Sequence, residues 1–151
     1  MKIHFKKYHG LGNDYLVIDP NVSEINLTKE NIRLICNRHF GIGSDGILYG
    51  PIKVEGNLSV KIFNPDGSEA EKSGNGLRIF AKYLYENNYV GQKDFYIHTL
   101  GGIVQAHVQD QAANMIKINM GKITFISSEI PVNGPKREVI NEDLEINNSV
   151  Y

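Results

Sequence analysis

The chain has 151 residues, of which 41% are hydrophobic and 22% charged, and its formal net charge is −1. This is the composition of an ordinary globular protein, and the length favours one domain or two small ones. No run reaches the ~18 apolar residues of a membrane span, no apolar signal core follows Met1, and the near-neutral charge gives no nucleic-acid footprint. A single cysteine, Cys36, cannot form an internal disulfide, so we expect a cytoplasmic protein without membrane or nucleic-acid partners.

The hydrophobic periodicity predicts a strand-rich chain with two helices. The first helix begins after Thr28, a side chain that caps helices, and extends over residues 29–39. The second covers residues 77–86 and ends at Asn87. Short connections between the strands favour antiparallel pairing. The predicted strands are residues 2–9, 15–18, 47–49, 58–63, 94–99, 103–108 and 115–120, with a weaker one at 123–126.

The second helix is apolar around most of its circumference, which is typical of a buried helix. Its apolar residues are Leu77, Ile79, Phe80, Ala81, Tyr83 and Leu84. A buried helix among antiparallel strands predicts an α+β fold in which a curled antiparallel β-sheet is wrapped around a central buried helix.

Three glycines, Gly41, Gly43 and Gly46, match the G-x-G-x-x-G pattern of dinucleotide-binding loops, and Asp66 follows at the expected distance. The functional pattern requires a strand before it and a helix after it, whereas here a helix precedes and a strand follows. We therefore interpret these glycines as the end of the first helix and its connecting loop, without a nucleotide.

The segment from Ser73 to Gly76 immediately precedes the second helix. Free backbone N–H groups at a helix start can bind an anion, and Gly74 lets a ligand approach. The residues alone favour a simpler explanation, in which Ser73 or Asn75 caps the helix. Asn13 and Asn64 lie beside turn signals, and for them too a local turn is the simpler explanation. The five histidines have no zinc-site spacing, and Cys36 is predicted to be a buried, inert thiol.

Taken together, four segments resemble diaminopimelate epimerase, in the order and at the spacing of that family. They are residues 9–15 (HGLGNDY), 38–46 (RHFGIGSDG), 62–69 (IFNPDGSE) and 73–78 (SGNGLR). Residues 117–121 resemble the strand that closes the family's first half. The resemblance implies two similar halves, each a curled antiparallel sheet around a central helix. It also implies epimerisation of LL- to meso-diaminopimelate for lysine synthesis, with one catalytic cysteine from each half and neither pyridoxal phosphate nor a metal.

By this resemblance, Asn13 and Asn64 contact the far amino-acid end of the substrate. Gly74 and Asn75 offer backbone N–H groups at the helix start. Gly46 stands where some members have glutamine, whose role does not transfer. Arg78 and Lys82 receive no role.

Two departures from the family pattern bear on catalysis. Ser73 occupies the position of the first catalytic cysteine, and a serine hydroxyl is a far weaker acid than a thiol. We therefore expect this chain not to exchange the α-proton. The first domain covers residues 1–121, and the family's second half is represented by at most residues 122–151. A segment of that length is too short to form a second core.

Three explanations account for the short second segment: a fragment of a longer protein, one subunit of a split enzyme, or a degenerate homologue that binds without catalysis. Ser73 is either natural or an engineered substitution. The alternative functions are a racemase of another amino acid on the same scaffold and a non-catalytic amino-acid-binding or interaction domain. In each case we expect a small amino-acid ligand, and self-association or a complementary C-terminal half as the partner.

Overall fold

The computed structural model describes residues 3–143, 145–147 and 149–150. The strands in chain order are β1 (Lys6–Gly10), β2 (Asn13–Ile18), β3 (Ile47–Val54), β4 (Asn57–Phe63), β5 (Glu69–Ala70), β6 (Asp94–Thr99), β7 (Gly102–Val108), β8 (Ile116–Asn119), β9 (Glu145–Ile146) and β10 (Ser149–Val150). The two α-helices are α1 (Lys29–Cys36) and α2 (Gly74–Glu86). None of the helices in the described ranges is long and apolar enough to cross a membrane.

One sheet contains the first eight strands, in the order β1-β2-β3-β4-β6-β7-β8, with β5 paired to β4. The α+β class is confirmed, but the sheet is mixed rather than wholly antiparallel. β2 pairs with β3 in parallel, and β4 pairs with β6 in parallel. In both cases a helix lies in the connection, and such a crossover returns the chain in the same direction.

The sheet curls around α2, as the sequence predicts. Both edge strands of the sheet, β1 and β8, contact this one helix, and so do β2, β3 and β7. Four side chains of α2 are fully buried: Leu77, Phe80, Ala81 and Leu84. Burying a leucine or phenylalanine side chain stabilises the fold by about 1.5–3 kcal/mol, so the central helix contributes a large share of the stability of the core.

The other helix, α1, packs on the opposite face of the sheet. Leu16, Ile18 and Ile47 form a cluster with its buried face, while Tyr15, Val17 and Leu48 belong to the α2 core. This alternation is that of a strand buried on both faces. The Thr28 cap is confirmed, since its Oγ1 accepts the N–H of Asn31 at 3.2 Å.

Several element boundaries differ from the sequence prediction. β1 begins at Lys6 and not at residue 2, because the N–H and carbonyl oxygen of His4 bond to Ser23 Oγ instead of a strand. β2 begins already at Asn13, and α2 at Gly74, directly after its Ser73 cap.

α1 ends at Cys36 instead of continuing to residue 39, because Asn37 Oδ1 accepts the N–H groups of His39 and Phe40, each at 2.8 Å. This local turn competes with the helix. β3 continues past Tyr49 to Val54, with a shift of register against β4 where Gly50 and Pro51 interrupt the apolar pattern.

The chain divides into two compact units, Met1–Met120 and Gly121–Tyr151. In the second unit, the strand predicted at residues 123–126 is wrong. Ile126 forms an isolated bridge with Glu138, and a short 3₁₀ turn follows at Ser127–Glu129. The Thr124 hydroxyl accepts the N–H of Ile126, and such a local hydrogen bond competes with strand pairing. The boundary predicted after residue 121 stays a prediction.

Candidate active site

Ser73 is the N-cap of the central helix α2. Its Oγ accepts the N–H of Gly76 at 3.0 Å, and its carbonyl oxygen accepts the N–H of Leu77 at 2.8 Å. The backbone of Ser73 is extended, as an N-cap residue requires. The capping geometry expected from the residues is therefore confirmed.

Gly74 and Asn75 follow Ser73 and precede the first backbone hydrogen bond of α2. The first N–H groups of a helix lack intrahelical partners and carry the positive end of the helix dipole. A Cβ at Gly74 would meet no atom within 4 Å, so the space beside this turn is open. The helix start can thus accommodate an anionic group against the backbone.

Asn13 is joined to the helix start through its side chain. Asn75 Nδ2 donates to Asn13 Oδ1 at 3.3 Å, and Asn13 Nδ2 donates to Asp45 Oδ2 at 3.0 Å. Gly10, at the end of β1, lies beside the Asn75 side chain, where a Cβ would be 3.7 Å from Asn75 Cβ. Two of the asparagines that the sequence singles out are therefore brought together.

Asn64 follows β4, at the same end of the strands as Asn13 and two strands away from it. Leu16, Ile47 and Phe63 face one another across β2, β3 and β4, which places the start of β2 and the end of β4 on one side. The Asn64 Nδ2 group donates to Ser68 Oγ at 3.0 Å. The turn predicted for this residue is present, since Asn64 N–H and carbonyl oxygen bond to Ser68 and Gly67.

Tyr15 is a site neighbour that the sequence analysis assigns only to a strand. Its phenol oxygen lies 3.1 Å from Ser73 Oγ, and its side chain is buried. The ring also explains why a glutamine role does not transfer to Gly46. A Cβ at that position would lie 2.6 Å from the Tyr15 ring and 2.5 Å from the Phe63 carbonyl oxygen.

A cluster of charged residues surrounds Asn13, and no motif in the sequence indicates it. Arg38 donates to Asp14 Oδ1 and to Asp45 Oδ1, each at 2.6 Å, and Lys7 lies 3.0 Å from Asp14. The Arg38 hydrogen bonds, followed by Lys7, hold the pKa of Asp14 well below its usual range. The hydrogen bond from Asn13 and the N–H of Asp14 lower the pKa of Asp45. Both carboxylates are therefore charged at neutral pH.

Arg78 and Lys82 have structural partners. An Arg78 guanidinium N–H donates to Asn75 Oδ1. Lys82 donates to the carbonyl oxygens of Ala112 and Ala113, each at 3.1 Å, and so attaches α2 to the turn after β7. Arg78 therefore holds the side chain of a candidate site residue, and Lys82 supports the fold.

The remaining candidates have structural explanations. Gly41 and Gly43 form the capping turn of α1, in which Gly41 N–H donates to Asn37 and Gly43 N–H donates to Ile35. Cys36 is buried and accepts the Ser44 hydroxyl at 3.4 Å, and burial raises its pKa. In the described ranges, no group of three or more His, Cys, Asp or Glu side chains is arranged to hold a metal ion.

Comparison of the sequence with known families gives a match to the family described as diaminopimelate epimerase, over residues 5–126. The chain is 52% identical over 148 residues to diaminopimelate epimerase 2 of Nostoc sp., covering 97% of this chain and 52% of that protein. It is 40% identical over 151 residues to diaminopimelate epimerase of Caldanaerobacter subterraneus, covering 99% of this chain and 54% of that protein. The chain thus spans about half the length of the curated relatives it matches.

Solved structures support the same fold. A probable proline racemase from Agrobacterium radiobacter superposes with a TM-score of 0.62 at 17% identity, over 78% of this chain and 41% of that one. A hydroxyproline epimerase from Agrobacterium vitis superposes with a TM-score of 0.57 at 15% identity, over 76% and 40%. With sequence and fold in agreement, the chain belongs to the diaminopimelate epimerase family.

Proposed function

We propose that this chain provides the first half of an amino-acid epimerase site for diaminopimelate, and that with Ser73 it binds the substrate without exchanging its α-proton. The observation that carries the proposal is the position of Ser73 at the start of the buried helix, beside the Asn13–Asn75 pair. A compact anion-binding turn and paired amides suit the carboxylate and ammonium groups of an amino acid.

In this proposal the substrate carboxylate binds the N–H groups of Gly74 and Asn75. The glycine provides the open approach, and the helix dipole favours the negative charge. Asn13 and Asn64 bind the far end of the substrate. Amides carry no net charge, so they pair with both signs of a zwitterion.

The proposed lack of proton exchange follows from the surroundings of the Ser73 hydroxyl. A base for the α-proton needs either a lowered pKa or an activating neighbour. The two groups bonded to Ser73 Oγ are the Tyr15 phenol and the Gly76 N–H, and neither is an imidazole or a carboxylate of the kind that activates a serine hydroxyl. A thiol at the same position has an ordinary pKa of about 8.5, and a helix start lowers it.

The second base and further substrate contacts come, in this proposal, from a complementary C-terminal half. The curated relatives are about twice as long as this chain. Leu11, in the turn that leads to Asn13, and Phe40, in the loop after α1, are 93% and 86% exposed, and large apolar side chains at a surface favour association. We propose that the partner is such a half or, in its absence, a second copy of this chain.

The test combines binding and exchange. Titration of the ¹⁵N-labelled chain with LL- or meso-diaminopimelate is expected to shift the backbone signals of Gly74 and Asn75. Incubation in D₂O is expected to leave the α-C–H bond of the substrate unexchanged. A lack of binding, or binding of proline in place of diaminopimelate, contradicts the proposed substrate, and α-deuteration by the chain with Ser73 contradicts the proposed inactivity.

A second experiment supplies the missing parts. The C-terminal half of the Nostoc relative is co-expressed with this chain, either unchanged or carrying Ser73→Cys. We expect α-deuteration only with Ser73→Cys and the added half together, because one base removes the proton and the other returns a deuteron. The variant Ser23→Cys, at a buried serine whose hydroxyl bonds to the His4 carbonyl oxygen, is the matched control for an added thiol.

A further inference from the structure

A continuous row of hydrogen bonds connects Asn13 and Asn75 to charged groups at both ends. Arg78 donates to Asn75 Oδ1, and Asn75 Nδ2 donates to Asn13 Oδ1 at 3.3 Å. Asn13 Nδ2 then donates to Asp45 Oδ2 at 3.0 Å, and Arg38 donates to Asp45 Oδ1 at 2.6 Å. The row runs from the central helix α2 to the loop before β3.

The charges at the two ends determine which way each amide faces. The two ends of an asparagine amide are alike in shape, so packing alone selects an orientation weakly. A guanidinium can only donate, and it therefore requires Oδ1 of Asn75. An ionised carboxylate can only accept, and it therefore requires Nδ2 of Asn13. The hydrogen bond between the two asparagines joins Asn75 Nδ2 to Asn13 Oδ1. The orientations that Arg78 and Asp45 require are therefore compatible with each other.

We propose that Asp45 and Arg78 are positioning residues that fix the amide orientation of Asn13 and Asn75 for ligand binding. The proposal rests on the proposed function for the identity of the ligand, and on the hydrogen-bond row for the orientation. Arg38 pairs with Oδ1 of Asp45, the carboxylate oxygen that Asn13 does not use, and so balances the charge of this carboxylate. Neither Asp45 nor Arg78 needs to touch the substrate.

The fixed orientation has a chemical consequence for the ligand. An asparagine amide has two N–H donors and two acceptor lone pairs. The row uses one donor and one acceptor of Asn13, and one donor and one acceptor of Asn75. Each amide keeps one N–H for a carboxylate and one lone pair for an ammonium group, in fixed places. A flipped amide exchanges the two and mismatches a zwitterionic amino acid.

The first test needs no ligand, because it follows the side-chain NH₂ signals of Asn13 and Asn75 in the ¹⁵N-labelled full chain. Asp45→Asn replaces the acceptor-only group with an amide of the same size. We expect the Asn13 side-chain signals to move, with exchange of these protons with water about tenfold faster. Arg78→Met is expected to move the signals of both asparagines, and Arg78→Lys, which keeps a donor-only cation, to restore them. Asp94→Asn, at an exposed hydrogen bond between β6 and β7, is the control and leaves both unchanged.

The second test measures the Kd for meso-diaminopimelate. We expect binding about tenfold weaker in Asp45→Asn and in Arg78→Met, and near the unsubstituted chain in Arg78→Lys and Asp94→Asn. Unchanged side-chain signals of Asn13 and Asn75 in both Asp45→Asn and Arg78→Met overturn the proposal. Failure of the unsubstituted chain to bind diaminopimelate, with the signal changes present, overturns the proposed function and leaves the orientation proposal supported. If Asp45→Asn fails to fold, the variants Arg78→Met and Arg78→Lys test the amide orientation from the opposite end of the row.

Discussion

The phenol oxygen of Tyr15 lies 3.1 Å from Ser73 Oγ and links strand β2 to the start of the central helix. Ser73 Oγ also accepts the Gly76 N–H, so its hydroxyl is held from two sides. The Tyr15 ring in turn fills the space that Gly46 leaves open. The side chain at the candidate catalytic position is therefore fixed by residues that come from three different segments of the chain.

Replacement of Tyr15 with phenylalanine is expected to lower the free energy of unfolding by about 0.5–1.5 kcal/mol, the usual net value of one hydrogen bond. The loss stays modest because the Gly76 N–H continues to bond Ser73. Urea denaturation measures it. Tyr96→Phe, at a residue that is 60% exposed on β6, is the matched control and is expected to change little. Equal losses in the two variants contradict a stabilising contact between Tyr15 and Ser73.

Gly41→Ala tests the structural explanation of the glycine motif. A Cβ at this position would lie 1.8 Å from the Leu34 carbonyl oxygen and 2.8 Å from that of Ile35, both backbone atoms that cannot rotate away. We expect a loss of about 3 kcal/mol or more, the upper part of the range for overpacking. Gly91→Ala, where a Cβ meets nothing within 4 Å, is the control. A variant as stable as the control shows that the α1 capping turn does not require glycine.

Much of the fold follows from local pattern. The buried face of α2, the Thr28 cap and the strands at residues 58–63 and 94–99 are confirmed, because each depends on periodicity or on a nearby side chain. The parallel pairs were not predictable from loop lengths. They depend on where a helix returns the chain, and that is a property of the whole sheet.

The site shows the same division between local and long-range information. Ser73 and Asn75 are recognisable because they stand at a helix start. Asp45, Arg38 and Arg78 belong to the site through contacts between segments distant in sequence, such as Asn13 with Asp45 and Asn75 with Asn13. Arg38 and Asp45 flank the glycine motif in the sequence, but residues that form an ion pair have no characteristic spacing from which the pair could be predicted.

Acid is expected to weaken the fold through the carboxylates of Asp14 and Asp45. Both have a folded-state pKa below the unfolded value of about 4. The stabilisation from these groups is therefore complete above pH 4 to 5 and is lost as the pH falls below that range. Urea denaturation between pH 7 and 3 measures the decline.

Asp14→Asn is the variant that isolates this effect. We expect it to be less stable than the unsubstituted chain at pH 7, since Arg38 and Lys7 lose a charged partner, and to decline less on acidification. Glu24→Gln, which removes one exposed carboxylate between β2 and α1, is the control and is expected to keep the slope of the unsubstituted chain. An unchanged slope in Asp14→Asn shows that its carboxylate does not contribute to the acid sensitivity. Added salt weakens the effect, since Arg38 is half exposed.

Alkali is expected to weaken the fold through two tyrosines that share one buried carboxylate. Tyr83 and Tyr89 both donate to Asp19 Oδ2, at 2.7 and 2.5 Å. Burial, followed by the hydrogen bond to Asp19, raises the pKa of Tyr89 to about 12. The pKa of Tyr83 is also raised, mainly by burial. In the unfolded chain a phenol ionises near pH 10. The neutral phenols therefore stabilise the fold fully below about pH 10, and the contribution of Tyr89 is lost between pH 10 and 12.

Tyr89→Phe separates the contribution of the hydrogen bond to Asp19 from the effect of phenol ionisation on stability. At pH 8 we expect a loss of about 1.5–3 kcal/mol, the range for a hydrogen bond to a charged group. Between pH 10 and 12 the stability of the variant is expected to fall less steeply than that of the unsubstituted chain, because one late-ionising phenol is absent. Urea denaturation across this range, together with absorbance at the phenolate band, measures both. Tyr96→Phe is again the control, and a Tyr89→Phe variant that declines as steeply as this control contradicts the assignment to Tyr89.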